Sequence, residues 1–382
     1  MAQWNRVPLI DYIELIGGGT PKTTVPEYWN GNIPWLSVKD FNNDKRYVYS
    51  TEKHISQSGF ENSPTKMLHK DDIIISARGT VGEIAMIPFD MAFNQSCYGI
   101  RASRGIDQPF LYYLLKNCIS QLKRMTHGSV FDTITRDTFA NIEVDIPDAE
   151  TQKRISSVLA DIDNKIEVND AINDNLHQQA ATLFKALFVD LTPFDGTMPP
   201  NWTISTLGDA TEMGAGGDKP KESSPVKTPL CPYPIYSNGI NDYGLYGYTN
   251  DPKIKVESVT VSARGTIGYV CLRHTPYVPI VRLVTLIPDT KVLSAKYLYL
   301  YLRQLHITGT GTTQQQLTVP DFRKTEIIIP DKNTMDSFTE TVTPLFEQIW
   351  ANEDENTKLA EGRDALLPKL MSGEIDVSDI QL

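Results

Sequence analysis

The chain has 382 residues, with 36 Lys and Arg against 47 Asp and Glu, for a formal net charge of −11. That length is too great for one small core and suits two to four domains, and a composition 40% hydrophobic and 22% charged is that of an ordinary globular protein. Four cysteines without Cys-x-x-Cys spacing exclude a disulfide framework or zinc site and point to a reducing cytoplasm. The opening Met1-Ala2-Gln3-Trp4 lacks the form of a signal peptide, and no apolar run is long enough to span a bilayer.

In chain order, residues 1–148 read as a first mixed α/β domain. Short apolar runs at 33–38 and 72–76 are expected strands, and residues 110–125 an expected helix. Gly17-Gly18-Gly19 reads as a turn rather than a phosphate loop. Residues 149–188 contain no Pro or Gly and read as one long helix, and 189–200, with three prolines, as a linker. Residues 201–331 repeat the style of the first domain. Leu207, Asp209, Glu212, Gly216 and Gly217 match Leu9, Asp11, Glu14, Gly18 and Gly19. Residues 332–382 hold a second long helix, ending near Gly373 as a C-cap, and a tail. The acidic excess falls mostly on the two helical segments, which suit a protein partner or solvent better than phosphate.

The repetition is specific. Ser76-Ala77-Arg78-Gly79-Thr80-Val81-Gly82 returns as Ser262-Ala263-Arg264-Gly265-Thr266-Ile267-Gly268, and Ile146-Pro147-Asp148 returns as Ile329-Pro330-Asp331. A chain of two similar halves presents two similar surfaces, which fits a two-fold partner such as duplex DNA. The helices also correspond. Ile155, Leu159, Ile162, Ile166, Asn169, Asn173, Leu176, Ala180, Leu183 and Leu187 in the first align with Phe338, Val342, Leu345, Ile349, Asn352, Asn356, Leu359, Arg363, Leu366 and Leu370 in the second. Both sets step by four and three, the spacing of a coiled-coil seam. An Asn in an apolar seam wants another opposite. Antiparallel packing meets that need by setting Asn169 against Asn356 and Asn173 against Asn352, and leaves Ala180 and Arg363 unmatched. The expected fold class is therefore α+β: two similar mixed domains joined by two long helices that form an antiparallel intramolecular coiled coil with pseudo-two-fold symmetry.

Catalytic signatures are missing from the sequence. It has no phosphate-loop, His-Glu-x-x-His or Gly-x-Ser-x-Gly motif, and its six histidines are dispersed and suggest no metal site. Each Ser-Ala-Arg-Gly-Thr element follows an apolar strand, so Arg78 and Arg264 stand at turns beside a glycine. Arg there suits bidentate contact with guanine or phosphate, or an internal salt bridge. Candidate DNA-binding residues are Arg78, Gly79 and Thr80 in the first half and Arg264, Gly265 and Thr266 in the second. The non-repeated polar loops add Lys39 and Asn42, with Asp40 and Asn43 beside them, and Gln314, Gln315 and Gln316, since amides suit adenine. Lys22, Lys219 and Lys221 follow glycine turns and suit phosphate, and Gly128 and Ser129 lie in a turn that would allow close backbone approach.

These features resemble the specificity (S) subunit of type I restriction-modification systems over essentially the whole chain. The resemblance is carried by the duplicated Ser-Ala-Arg-Gly-Thr element, Gly311-Thr312-Thr313-Gln314, Ile146-Pro147, Gln152-Lys153-Arg154-Ile155, and the ends of the two helices, Leu183-Phe184-Lys185-Ala186-Leu187-Phe188 and Leu366-Leu367-Pro368-Lys369-Leu370-Met371-Ser372-Gly373. It implies two target recognition domains that each read half of a split double-stranded DNA site. It also implies a coiled coil that spaces them and docks two methyltransferase subunits, with restriction subunits as an optional addition. Such a chain is not an enzyme: S-adenosylmethionine and methyl transfer belong to the partners. One departure is Thr318-Val319-Pro320-Asp321-Phe322 in place of Thr135-Arg136-Asp137-Thr138-Phe139, where Pro320 is expected to reshape the approach to the second helix. The alternatives are a coiled-coil scaffold with two protein-binding heads, and the specificity module of a methyltransferase-only system.

Overall fold

The computed structural model describes residues 4–126, 133–309 and 316–380. It divides into two compact units, residues 1–169 with 354–382 (unit 1) and residues 170–353 (unit 2). Each unit takes one half of each long helix.

The strands of unit 1 are β1 (Asn5–Pro8), β2 (Ile13–Gly17), β3 (Trp29–Leu36), β4 (Lys53–Ile55), β5 (Met67–Leu68), β6 (Ile73–Ser76), β7 (Ile84–Met86), β8 (Met91–Phe93), β9 (Cys97–Ala102) and β10 (Glu143–Ile146). They form sheets of order β2-β9-β6-β7 and β4-β3-β8-β5, with β1 and β10 paired separately. Helix α1 (Gln108–Thr126) covers the first sheet with Phe110, Leu111, Leu114 and Leu115, all buried in one cluster with Ile73, Ile75 and Ile100. The run Ile73-Ile74-Ile75-Ser76 is buried on both faces, which is why it reads as continuous rather than alternating apolar sequence.

Helix α2 (Ala149–Phe184) starts where Pro147 ends β10 and Asp148 caps the first turn. One Asp148 oxygen accepts from the amides of Glu150 (3.1 Å) and Thr151 (2.9 Å), and these bonds hold the carboxyl below its ordinary pKa.

Unit 2 repeats this plan in β11 (Thr203–Thr206), β12 (Thr211–Ala215), β13 (Ser223–Ser224), β14 (Tyr233–Tyr236), β15 (Leu245–Thr249), β16 (Ser258–Val261), β17 (Val270–Arg273), β18 (Val278–Pro279), β19 (Val284–Pro288), α3 (Ala295–Gln304), β20 (Glu326–Ile329) and α4 (Lys332–Met371). The sheet β12-β19-β16-β17 matches β2-β9-β6-β7 strand for strand. A parallel pair recurs as well, β3 with β8 and β14 with β18. Asp331 caps α4 as Asp148 caps α2, accepting from Thr334 Oγ1 (2.7 Å) and the amides of Asn333 and Thr334. The repeated Ile-Pro-Asp is therefore a strand stop followed by a helix cap. Pro320 does not reshape the chain. It sits in the first turn of the short helix Val319–Phe322, where no amide hydrogen is needed, and Thr318 caps that turn as Thr135 caps its counterpart. Residues 189–200 are anchored: Phe194 packs edge-on against Trp202 (5.2 Å), and Trp202 Nε1 donates to Asp331 (3.1 Å).

The two helices pack antiparallel in both units. In unit 1, Asn169 Nδ2 donates to Asn356 Oδ1 (2.9 Å) and to Glu355 (2.8 Å), which also binds Lys165. In unit 2, Asn352 Nδ2 donates to Asn173 Oδ1 (2.8 Å). Residues beside the heptad positions share in the burial. Phe184, Phe188, Phe346 and Leu367 are buried where Leu183, Leu187, Leu345 and Leu366 are only partly so. A straight α-helix drifts against a seven-residue repeat, and at the C-terminal end of α2 the buried stripe moves by one position, whereas Ile155, Leu159, Phe338, Val342, Ile349 and Leu370 stay buried at the heptad positions. A wider π-type turn at residues 185–189 completes that rotation in α2.

Candidate nucleic-acid interface

The Ser-Ala-Arg-Gly-Thr element divides its labour. Ser76 Oγ donates to the Thr80 carbonyl (2.5 Å) and accepts from the Glu83 amide (2.8 Å), while the Gly82 amide closes on the Ser76 carbonyl (3.0 Å). Unit 2 reproduces the loop: Ser262 Oγ donates to the Thr266 carbonyl and accepts from Tyr269 N, and Gly268 N closes on Ser262. Ala77 and Ala263 are buried. Gly79, Gly82, Gly265 and Gly268 all have φ between 69° and 85°, a backbone that glycine adopts without steric cost. What remains exposed is the tip: Arg78, Gly79 and Thr80 in one unit, and Arg264, Gly265 and Thr266 in the other. Hydrogen bonds close each loop, and its arginine is exposed at the tip.

Different neighbours buttress each tip. In unit 1 the Ser96 carbonyl accepts from both Ala77 N (2.8 Å) and Arg78 N (3.2 Å). The adjoining Gln95 is exposed and bonds Thr20 on the loop that carries Lys22. Gly18 and Gly19 are packing requirements of that loop, because a Cβ at either would meet backbone atoms of residues 94 and 65 at 2.0 and 2.3 Å. In unit 2, Asn238 Oδ1 takes the Ala263 amide (2.7 Å), and Arg264 Nη2 donates to Gln316 (3.1 Å).

The other sequence candidates distribute as follows. Lys39 and Asn42 lie on the turn that leaves β3 beside Asn94, whose amide bonds Leu36. Both are exposed, Lys39 lies 4.0 Å from Glu52, and Asp40 is spent on capping Ser37. Lys219 lies over the Tyr246 ring at 5.1 Å, and Lys221 is exposed. Gly128, Ser129, Gln314 and Gln315 lie outside the described residues. Sequence reasoning did not single out Gln95 and Asn238. Neither carries a motif, and each is brought beside its tip by the strand that precedes it.

Among the described residues, no group of three or more His, Cys, Asp or Glu is placed to hold a metal ion, and no helix is long and apolar enough to cross a membrane. A cavity of about 430 Å³ in unit 2 is lined by His177, Tyr243, Arg273, Arg303 and Trp350, among others. Burial, reinforced by Arg303, lowers the His177 pKa.

A family profile described as "Type I restriction modification DNA specificity domain" matches residues 1–178 and again 199–360. The chain belongs to that family. The MjaIX specificity subunit of Methanocaldococcus jannaschii is 28% identical, over 99% of this chain and 94% of its own length. The HindI specificity subunit of Haemophilus influenzae is 26% identical, over 70% of this chain and 77% of its own. A solved type I restriction-modification S subunit from M. genitalium shares the fold, with a TM-score of 0.58 at 15% identity over 97% of this chain and 96% of that one. The duplicated tips are therefore features of a DNA sequence-specificity subunit with two specificity domains.

Proposed function

We propose that this chain is the non-catalytic reading component of a type I complex. Each unit reads one half of a split double-stranded DNA target. The paired helices space the two readings and dock two methyltransferase subunits, with restriction subunits joining where the system cleaves. Methyl transfer and its S-adenosylmethionine are the partners' contribution, and the assembly works in the cytoplasm. The observation that carries this reading is the pairing of one scaffold with two different surroundings. Ser76 and Ser262 close the same loop around Arg78 and Arg264, yet a backbone carbonyl buttresses one tip and an Asn side chain the other. A shared loop with divergent neighbours is what two readers of different half-sites require. The acidic helices suit protein docking better than phosphate contact.

Methylome sequencing of cells with and without this chain tests the proposal, and the expected result is loss of one bipartite motif. A protein-binding scaffold would leave methylation intact and would show no salt-dependent binding to duplex DNA. Inserting seven residues into both helices should lengthen the unread spacer of the target. An unchanged spacer would remove the helices from that role.

A further inference from the structure

Beside the Arg264 tip, unit 2 carries a turn that the fold holds in an unfavourable backbone. Val281 has φ 52° and Arg282 φ 61°, two consecutive non-glycine residues in the left-handed region. That region is disfavoured for any side chain and most of all for a β-branched one. Among the described residues, most other non-glycine residues with positive φ are Asn or Asp, such as Asn30, Asp44, Asp71 and Asp195, which tolerate that region, while Arg104, Leu191 and the consecutive pair Asp242 and Tyr243 also adopt it; Val281 is the one β-branched residue among them.

Four hydrogen bonds hold the strained turn. Val281 N donates to the Gly217 carbonyl (2.9 Å), Arg282 N to Gly216 (2.9 Å), Leu283 N to Ile280 (3.0 Å), and Asn238 Nδ2 to the Val281 carbonyl (2.6 Å). Ile280 and Leu283 on either side are buried, at 1% and 2% exposure. Gly216 permits the close approach, since a Cβ there would meet Ile280 N at 2.8 Å. The same Asn238 amide accepts from Ala263 N, so one side chain ties the strained turn to the residue before Arg264. Arg282 itself is exposed, and among the described residues its side chain has no hydrogen bond or ion pair. In unit 1 the corresponding loop, residues 94–96, has ordinary φ values.

Strain that the surroundings over-determine, around an unpaired cation next to a reading tip, is expected where a side chain must be presented in one direction. We propose that Arg282 contacts a base edge of the half-site read by unit 2, with the exposed Val281 as its apolar neighbour on the DNA. The chemistry that suits this pair is a guanine edge, O6 and N7, for the guanidinium, and a thymine methyl for Val281. The inference rests on the reading given under Proposed function and adds to it a residue outside the duplicated motif.

The test uses the chain in complex with its methyltransferase partner, methylating a library of duplexes randomised across the target. Arg282→Ala should cut discrimination at one or two adjacent positions of one half-site by about 5- to 150-fold, and leave the other half-site unchanged. Arg282→Lys should keep general affinity without restoring that discrimination. Arg282→Gly should raise the melting temperature while losing the same discrimination, a combination that a structural role for Arg282 would not give. An unchanged motif with Arg282→Ala overturns the inference. So does a uniform fall in methylation across all sequences that Arg282→Lys repairs, because that is the behaviour of a phosphate contact. A bipartite motif from the wild-type complex upholds the specificity reading whatever the variants do.

Discussion

The two ends of the helical pair solve one packing problem with opposite chemistry. In unit 1, Arg363 and Asp163 are both 3% exposed and bond each other at 2.8 Å. Asp44 (3.0 Å) and Asp364 share the guanidinium, and Tyr113 donates to Asp163 at 2.6 Å. Burial alone would lower the Arg363 pKa, but the bond and charge from Asp163 outweigh it and keep the group ionised. In unit 2 the duplicated positions are Ala180 and Phe346, and the core there is aromatic. Phe188 lies 4.9 Å from both Phe338 and Tyr297 and 5.6 Å from Trp202. Duplication conserved the helical frame and the Asn pairs but not the interior. A buried ion pair has a desolvation cost that only good geometry offsets, whereas an aromatic cluster gains from area alone. The two ends are therefore not interchangeable parts.

The largest effect should come from breaking the ion pair. Arg363→Ala leaves Asp163 buried without its partner and should cost about 3–5 kcal/mol in urea unfolding of the full chain. Combining it with Asp163→Phe installs the apolar pair of unit 2 and should recover most of that loss. A double variant no more stable than the single one would show that the units differ in more than these residues. Phe346→Ala, the lesion in unit 2 at the position that duplicates Asp163, should cost about 3–5 kcal/mol through a cavity, and no second charge change should rescue it.

Smaller effects test the seam centre. Asn169→Leu leaves Asn356 without its bond and should cost about 1–3 kcal/mol, while Asn169→Leu with Asn356→Leu should be near neutral in stability. The smallest expected effect is on pH dependence. The folded pKa of His177 is lowered, so the unfolded chain binds a proton more readily, and stability should fall on acidification below the ordinary histidine value. His177→Phe should flatten that slope, as read by melting temperature across pH 5–8; an unchanged slope would place its origin elsewhere.

Part of the proposed reading surface was legible and part was not. Arg78 and Arg264 stood out because the motif recurs, and both prove exposed on a closed loop. Gly18, Gly19 and Gly216 are spacing requirements of the backbone, since a Cβ at any of them would meet a neighbouring segment. Arg282 gave no signal, because a strained turn is marked neither by composition nor by period. The partner of Arg363 was hidden for a related reason: Asp163 sits one position off the seam that the four-three stepping selects, and Asp44 lies on a loop far away in sequence.

By itself the sequence determined what is local or periodic: the two-fold repetition, the length of the helices, the caps at Asp148 and Asp331, and the meeting of Asn169 with Asn356 and of Asn173 with Asn352. Those follow from hydrogen-bonding groups a few residues apart and from a repeat that any window of chain displays. The tertiary structure decided which charges share a buried site, which face of each helix end turns inward, and which loops stand beside each arginine tip. Those depend on residues brought together across hundreds of positions, where packing and desolvation, rather than neighbouring sequence, select the partner.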